Sequence, residues 1–261
     1  LPQKTFRHDA YDGYKAKRVK TEDELVLQLK NSSQIFEAFN IPIYDAPGFE
    51  ADDVLGTIVE KLTKNKNINI IIASGDMDTM QLVDDKKVQI YTLKKGINDT
   101  ILYDEEKVLA RFGFGPKLLP DYKGLRGDPS DNIIGIKGVG EKTATELISH
   151  FGTIEEIYKR IKKEPEDFKK IGISPRMIEL LKNNEEEALF SKTLAKIRHD
   201  APVDFKIPDK TFWENADLSR IEKMFTEFEF RSLYARLKIF FYNGSSADLA
   251  NKLKDDKFSV S

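Results

Sequence analysis

The sequence contains no cysteine among its 261 residues. Disulfide bonds and zinc sites built from thiolates are therefore excluded. The three histidines, His8, His150 and His199, are far apart and lack metal-ligand spacing, so each is interpreted as an ordinary surface or core-edge side chain. No apolar run approaches the roughly 20 residues that a membrane-spanning helix needs, and the first residues do not have the pattern of a signal peptide. These absences predict a soluble protein of the reducing cytoplasm.

A strong charge of either sign is also lacking. The chain has 42 Lys+Arg against 44 Asp+Glu, for a formal net charge of −2. This balance excludes a wholly basic surface but allows a basic stripe that faces an acidic pocket. With 40% hydrophobic residues, the chain can build one large domain or a domain with a smaller lobe.

The most informative feature that is present is a set of carboxylates in three short clusters, each flanked by apolar or glycine-rich sequence: Glu50, Asp52 and Asp53; Asp76 and Asp78; Asp128 and Asp131. Taken singly, each cluster has a simpler interpretation. Acidic residues in a first helical turn complement the helix dipole by ~0.3–1 kcal/mol each, and the other pairs fit an Asx turn or a helix cap. Together, however, converging carboxylates would repel one another strongly without a cation. Two divalent ions ~3.5–4 Å apart, held by carboxylates, can cleave phosphate esters.

The apolar pattern predicts a doubly wound α/β sheet. Ile68–Ala73 is a nearly continuous apolar run, typical of a strand buried on both faces, and Val88–Leu93 predicts a second strand. Between Ala51 and about Lys64 the apolar residues have helical spacing. Sheets of this kind bind ligands beyond the carboxyl ends of their strands, which is where Asp76 and Asp78 are placed.

Three other segments complete the expected organisation. Ile41–Tyr44 is interpreted as a short strand. After about Tyr103 the pattern changes to helices and loops. Near Pro202 the extended piece Val203–Phe205 suggests that the chain returns to the sheet.

Two further features suggest contacts with nucleic acid. Gly138-Val139-Gly140, flanked by Lys137 and Lys142, stands before a predicted helix and would let backbone groups approach a phosphate or an ion. An ordinary tight turn is the alternative. The basic segment Tyr14–Arg18 can contribute to tracking a duplex or can form a solvated helix face.

Several motifs taken together resemble a known family. In chain order they are Phe6–Tyr11, Gly13–Arg18, Gly48–Asp53, Gly75–Asp78, Gly127–Asn132 and Gly138–Ala144. They stand in the order and at the spacing seen in the 5′-nuclease domains of bacterial DNA polymerase I, which belong to the flap-endonuclease superfamily. The resemblance covers about residues 1–241.

The resemblance implies roles for the matching residues. Lys15 would contact the scissile phosphate, with Arg18 as its companion on the same helical segment. Tyr14 would either stack on a base or pack internally. The metal ligands would be Glu50, Asp52, Asp76, Asp78, Asp128 and Asp131, with Asp53 as a further member of the first cluster. Contacts to the duplex backbone would come from Gly138, Gly140, Lys142 and Thr143, with Lys137 beside them.

The same resemblance implies a PIN-like fold, an α/β doubly wound and mostly parallel sheet with a helix–three-turn–helix DNA-binding lobe. The expected domains are a nuclease core at 1–120, the lobe at 121–200, a C-terminal return to the core at 201–241, and a linker toward a following domain at 242–261. The implied cofactors are two Mg²⁺ or Mn²⁺ ions, with K⁺ held by main-chain oxygens of the helix–three-turn–helix. The implied partner of this monomer is DNA with a 5′ flap or a duplex/single-strand junction, together with the polymerase domains of the same protein.

Family members begin with a strand that carries one metal-proximal Asp and a second strand that ends in another. This sequence starts after that point, so its core is expected to be N-terminally incomplete. Two functions therefore remain open: a Mg²⁺-dependent 5′-3′ exonuclease or flap endonuclease of primer removal and repair, and a branched-DNA-binding module that does not cut. A hydrolase of small phosphorylated molecules would leave the glycine–lysine turn and the basic segment unexplained.

Overall fold

The computed structural model describes residues 4–96 and 98–243. Its strands are β1 (Ile70–Ala73), β2 (Val88–Gly96) and β3 (Asp99–Tyr103). Its α-helices are α1 (Phe6–Ala10), α2 (Asp23–Ala38), α3 (Ala51–Thr63), α4 (Glu105–Phe112), α5 (Leu119–Arg126), α6 (Glu141–Phe151), α7 (Ile154–Lys163), α8 (Glu166–Lys170), α9 (Pro175–Lys182), α10 (Glu185–Ala195), α11 (Phe212–Asn215), α12 (Leu218–Glu227) and α13 (Arg231–Asn243). Short 3₁₀ helices span Met77–Leu82 and Pro116–Leu118.

The sheet has the order β1-β2-β3. β1 pairs with β2 in parallel and β2 pairs with β3 antiparallel, with Ile90 opposite Tyr103. Both strands predicted around Asp76 and Asp78 are present, and the α/β fold class with a helical lobe is confirmed. β3 was not predicted. The expectation that β1 is buried on both faces is wrong, because Ile72 is buried whereas Ile71 is 62% exposed on the opposite face.

Two predicted extended segments do not join this sheet. Ile41–Tyr44 forms no strand; the Ile41 amide instead donates to Phe36 O and closes the end of α2. Val203 does not return to the sheet either. Its carbonyl accepts a bond from Lys61 of α3 at 2.6 Å, so this part of the chain follows a helix rather than a strand.

One compact unit contains the residues up to Val19 and Asp45–Asp204. Its apolar core runs without interruption from the sheet into helices α5 to α9. The contact between α5 and α10 is close because Gly124 has no side chain: a Cβ there would lie 2.8 Å from Ala188 O. This core fixes the end of β1 and the end of α5, and both carry predicted site residues.

The second unit contains Lys20–Tyr44 and, among the described residues, 205–243. Here α2, α12 and α13 surround a smaller core of Ala38, Ile221, Met224, Phe225 and Leu237. The linker predicted at 242–261 lies outside the described residues, apart from the last two residues of α13. In the described part of the chain, no helix is long and apolar enough to cross a lipid bilayer.

Candidate functional site

The first acidic cluster stands at the N-terminus of α3. Glu50 caps the helix, and its amide donates to Asp53 Oδ2 at 3.0 Å. Asp53 is fully buried and accepts bonds from both terminal nitrogens of Arg7 at 2.7 and 2.9 Å, and from the amide of Arg198 at 2.9 Å. Burial raises the pKa of Asp53, but the bonds from Arg7 outweigh it and hold that pKa below its usual value. Asp53 is therefore engaged in a structural ion pair, and we leave it out of the proposed metal ligands.

The environment of Asp52, one residue earlier, differs from that of Asp53. Asp52 accepts no hydrogen bond and forms no ion pair among the described residues. Burial, followed by the charges of Asp76, Asp78 and Glu50, raises its pKa to about 7. Burial is the largest cause of this raised pKa, and Asp76 and Asp78 of the second cluster add to it by repulsion.

The second cluster follows β1 directly. Asp76 Oδ1 accepts the amide of Asp78 at 2.9 Å, and Ser74 Oγ accepts the amide of Asp76 at 3.0 Å. This is the Asx turn that the sequence allowed, and it places both residues directly after the end of the strand. Burial raises the pKa of Asp78, although the Lys123 ammonium acts in the other direction.

The third cluster lies in the loop between α5 and α6. Asp128 and Ile133 exchange two backbone hydrogen bonds of 2.8 and 2.9 Å, which close a tight turn around Asp131. Gly127 and Gly135 cross at the base of this turn, both with positive φ. A Cβ on Gly135 would lie 2.1 Å from the amide nitrogen of Gly127, so the crossing requires glycine.

Cationic and phenolic groups from the turns after α1 bind the first and third clusters. Lys15 Nζ donates to Glu50 Oε1 at 2.7 Å, and Arg18 donates to Asp131 Oδ1 at 2.7 Å. The Tyr14 hydroxyl shares its single proton between Asp131 at 2.9 Å and Glu50 at 3.1 Å. Both predicted phosphate-contacting residues thus lie beside the carboxylates, in turns rather than on a helix.

The Tyr14 ring is 3% exposed, so a base cannot stack on it in this conformation, and the internal packing that the sequence allowed is observed. Burial, reinforced by Glu50 and Asp131, raises the pKa of the Tyr14 hydroxyl well above its usual value. Tyr14 therefore serves as a neutral donor that orients two carboxylates from different clusters.

Lys123 on α5 is a site residue that was not predicted from the sequence. Its ammonium donates to Asp128 Oδ2 at 2.6 Å and also to Asp78, and so joins the second cluster to the third. Burial lowers the pKa of Lys123, but Asp78 and Asp128 outweigh it and raise that pKa above its usual value. The sequence carries no local signal for this role, because Lys123 is one of several charged residues, with Lys117, Asp121 and Arg126, in the stretch before the third cluster.

The side chains brought together are six carboxylates and three cations: Glu50, Asp52, Asp76, Asp78, Asp128 and Asp131, with Lys15, Arg18 and Lys123. Carboxylate oxygens are the ligands that hard divalent cations prefer, and the charges of Asp76, Asp78 and Glu50 contribute, after burial, to the raised pKa of Asp52. The residues fit a divalent cation in donor type and in charge. Within residues 4–96 and 98–243, however, no three Asp, Glu or His side chains are arranged to hold a metal ion.

The glycine–lysine turn continues directly from the third cluster. Ile136 and Val139 are 1% and 4% exposed and anchor the turn in the core, whereas Lys137, Gly138, Gly140 and Lys142 are exposed and Thr143 is half-buried. Gly138 has φ +103°, and Gly140 caps the N-terminus of α6. The backbone of the turn and the first turn of α6 are thus presented to solvent beside two lysines.

Comparison with known families covers most of the chain. Residues 2–113 match the 5′-3′ exonuclease N-terminal resolvase-like domain, and residues 114–218 match the 5′-3′ exonuclease C-terminal SAM fold. The second match begins within the helical region and contains the third cluster and the glycine–lysine turn.

Among curated proteins, the chain is 36% identical to DNA polymerase I of Bacillus caldotenax over 90% of this chain and 25% of that protein. It is 38% identical to DNA polymerase I of Chloroflexus aurantiacus over 87% of this chain and 23% of that protein. The chain therefore spans about a quarter of the length of the curated relatives that it matches.

Solved structures share the fold at lower identity. A bacteriophage T5 flap endonuclease in a pseudo-enzyme-product complex with DNA and metal ions matches with a TM-score of 0.60 and 20% identity, over 87% of this chain and 79% of that one. A T5 5′-exonuclease with bound divalent metal ions (zinc) matches with a TM-score of 0.59 and 20% identity, over 87% and 80%.

Proposed function

The chain belongs to the 5′-3′ exonuclease family, and on that premise we propose that it is a structure-specific nuclease that hydrolyses phosphodiesters at 5′ flaps or 5′ ends of DNA. The observation that carries the proposal is the convergence of three carboxylate clusters, from α3, β1 and the α5–α6 loop, beside Lys15 and Arg18. A small-molecule hydrolase has no use for the exposed glycine–lysine turn that adjoins the third cluster.

Glu50, Asp52, Asp76, Asp78, Asp128 and Asp131 would hold two divalent ions, Mg²⁺ or Mn²⁺. Bound ions would supply an activated water and stabilise the leaving 3′ oxygen. Burial of Asp52 and Asp78 contributes by weakening the competition from bulk water for these carboxylates.

Lys15 and Arg18 would bind the scissile phosphate once their present carboxylate partners are neutralised. Both side chains reach the cluster from one turn segment, and Arg18 is 56% exposed, so its guanidinium is accessible to a phosphate. A guanidinium binds a phosphate through paired N–H donors, whereas an ammonium acts as a point charge. Lys15 and Arg18 would thus both orient the phosphodiester and offset the charge that develops in the transition state.

The glycine–lysine turn would grip the backbone of the duplex. Lys137 and Lys142 supply positive charge, and the exposed amides at the start of α6 can donate to a phosphate. Main-chain oxygens of the same turn would hold a K⁺ ion. Thr143, one residue into the helix, would add a hydroxyl contact.

The alternative function is binding of branched DNA without cleavage. It is favoured by one observation, that four of the six carboxylates, Glu50, Asp78, Asp128 and Asp131, are paired with protein cations, and no three described side chains are arranged as a metal site. Both functions use the glycine–lysine turn to bind DNA, so only a measurement of DNA cleavage distinguishes them.

The deciding experiment is cleavage of a 5′-labelled flap duplex by the full chain, with Mg²⁺ or Mn²⁺ and with a chelator. The test variant is Asp76→Ala/Asp78→Ala, and the matched control is Glu105→Gln/Glu106→Gln, which removes two carboxylates from the first turn of α4. Cutting that requires the cation, is lost in the test variant and persists in the control supports the nuclease. Flap binding without cutting under every condition would establish the binding module instead.

We further propose that this chain acts in the setting of its polymerase I relatives. The nuclease would act as a monomeric unit joined to polymerase domains in the cytoplasm, where it would remove primers and repair damaged 5′ ends. Within the chain, the proposed functional divisions are the core at 1–120, the DNA-binding lobe at 121–200, a C-terminal segment at 201–241 and the linker at 242–261.

A further inference from the structure

Lys123 bridges two carboxylates that come from different parts of the fold. Its ammonium donates to Asp128 Oδ2, in the loop after α5, and to Asp78, in the 3₁₀ helix after β1. The three side chains are only 15%, 18% and 12% exposed for Lys123, Asp78 and Asp128, respectively. Screening by water is therefore weak, and both ion pairs are stronger than those on an open surface.

The Lys123 ammonium lies between Asp78 and Asp128, which is the position that a divalent cation bound by both carboxylates would occupy. The ammonium and a divalent ion seek the same oxygens of Asp78 and Asp128, and like charges cannot share so small a space. Lys15 and Arg18 differ in this respect. Arg18 is 56% exposed, and Lys15 donates a hydrogen bond to Glu50 only, with Asp131 at a longer 3.5 Å, whereas Lys123 donates to both of its carboxylates. Lys123 connects two clusters that would otherwise repel each other.

We propose that Lys123 is an internal counter-cation, which holds Asp78 and Asp128 together before metal binds and is displaced when a divalent cation enters. This inference rests on the proposed divalent site. The protein must then break the two ion pairs of Lys123 before it can bind the cation. Lys123 therefore lowers the affinity of the site for metal. The displaced ammonium is then free beside the reaction site.

A purely structural role for Lys123 makes the opposite prediction. If the lysine only braced the two carboxylates in their binding geometry, its removal would misplace them and weaken metal binding. The sign of the change in affinity therefore distinguishes a competitor from a brace.

The experiment measures Mn²⁺ binding to the full chain by titration calorimetry at constant pH and ionic strength. The variant is Lys123→Met, which keeps a long unbranched side chain but removes the charge. The matched control is Lys117→Met, which removes the same charge from an exposed position in the 3₁₀ helix Pro116–Leu118. We expect Lys123→Met to bind Mn²⁺ at least tenfold more tightly than the native chain, and Lys117→Met to change the affinity by less than about twofold.

Unchanged or weaker binding by Lys123→Met, with Mn²⁺ binding to the native chain intact, overturns the role of Lys123 alone. Failure of both proteins to bind Mn²⁺ overturns the proposed metal-dependent function and this inference with it.

A second measurement uses the native chain and does not depend on how the variant folds. Lysines are acetylated briefly with and without Mn²⁺, and modification of each lysine is quantified by peptide mass spectrometry. Displacement predicts that modification of Lys123 rises severalfold in Mn²⁺ while that of Lys117 stays constant. Equal modification of Lys123 at a Mn²⁺ concentration that saturates the calorimetric signal contradicts displacement.

Discussion

Arg7 donates to both carboxylate oxygens of Asp53, and its remaining bonds go to the carbonyls of Leu194 and Lys196 at 2.8 Å each. The two charged side chains are 4% and 0% exposed. This pair therefore joins α1, the N-terminus of α3 and the end of α10, and it fixes the helix that carries Glu50 and Asp52.

Arg7→Met would leave the Asp53 charge buried and unpaired. Removing one partner of a buried pair typically costs about 3–5 kcal/mol. We expect a loss of that size in the free energy of unfolding, measured by urea denaturation. Asp53→Asn in the Arg7→Met background should recover part of the loss, because it removes the stranded charge. The exposed Arg176→Met on α9 should change stability by less than about 0.5 kcal/mol. A small effect of Arg7→Met would mean that the pair is not needed to fix α3.

Gly135→Ala tests the crossing that shapes the third acidic cluster. The new methyl group would meet backbone, which cannot move aside as a flexible side chain can. The control is Gly172→Ala, because Gly172 also has positive φ (+82°) but has open space where a Cβ would stand. Both variants should lose about 1–2 kcal/mol from the left-handed backbone, and Gly135→Ala at least about 2 kcal/mol more from the clash. If both variants lose the same free energy of unfolding in urea denaturation, the loop opens to admit the methyl group without a further loss of stability.

The raised pKa of Asp52 predicts that the folded protein loses stability as the pH rises. The folded pKa of this carboxyl is about 7, against 3.8 for an ordinary Asp, so the folded protein binds more protons than the unfolded chain between these values. Stability linked to Asp52 is therefore lost as pH rises from about 4 to 7 and stays low above that range. Asp52→Asn should remove this penalty and stabilise the metal-free protein at pH 8 by about 1–4 kcal/mol, with little effect at pH 4.

The measurement is urea denaturation in chelator at several pH values, and the quantity of interest is the difference between variant and native chain. Glu106→Gln, which removes an exposed carboxylate from α4, should give a difference that does not vary over the same range. A constant difference for Asp52→Asn as well would contradict the raised pKa of Asp52, and with it the burial of this carboxylate and its closeness to Asp76 and Asp78.

The parts of the site that could be predicted are those in which local sequence fixes the outcome. Asp76 and Asp78 follow a β-branched apolar run, so their place at the end of a strand was readable from residues 68 to 78. The same holds for the turn at Gly138, where glycine and flanking lysines are adjacent in sequence. The first turn of α3 was recognised for the same reason.

The parts that could not be predicted depend on partners distant in sequence. Asp53 looked equivalent to Asp52 until Arg7, 46 residues away, was found to occupy both of its oxygens. Lys123 and Asp78 are 45 residues apart, and nothing local to either indicates the bridge. The strand predicted at Ile41–Tyr44 is absent for a related reason. The alternation of this segment is that of a strand, but a strand forms only where another is available to pair with it.

Lys142 provides the most direct test of DNA binding, because it is exposed in the first turn of α6 and belongs to none of the acidic clusters. Each lysine that neutralises a phosphate releases counterions, so Lys142→Ala should weaken binding to a duplex of any sequence and reduce the slope of log affinity against log salt by about 1. The control is Lys163→Ala at the end of α7, which changes net charge equally. Fluorescence anisotropy at several salt concentrations, in chelator to prevent cleavage, measures both variants. A slope that falls equally in both would indicate attraction by net charge alone, whereas a fall confined to Lys142→Ala identifies a phosphate contact at the glycine–lysine turn.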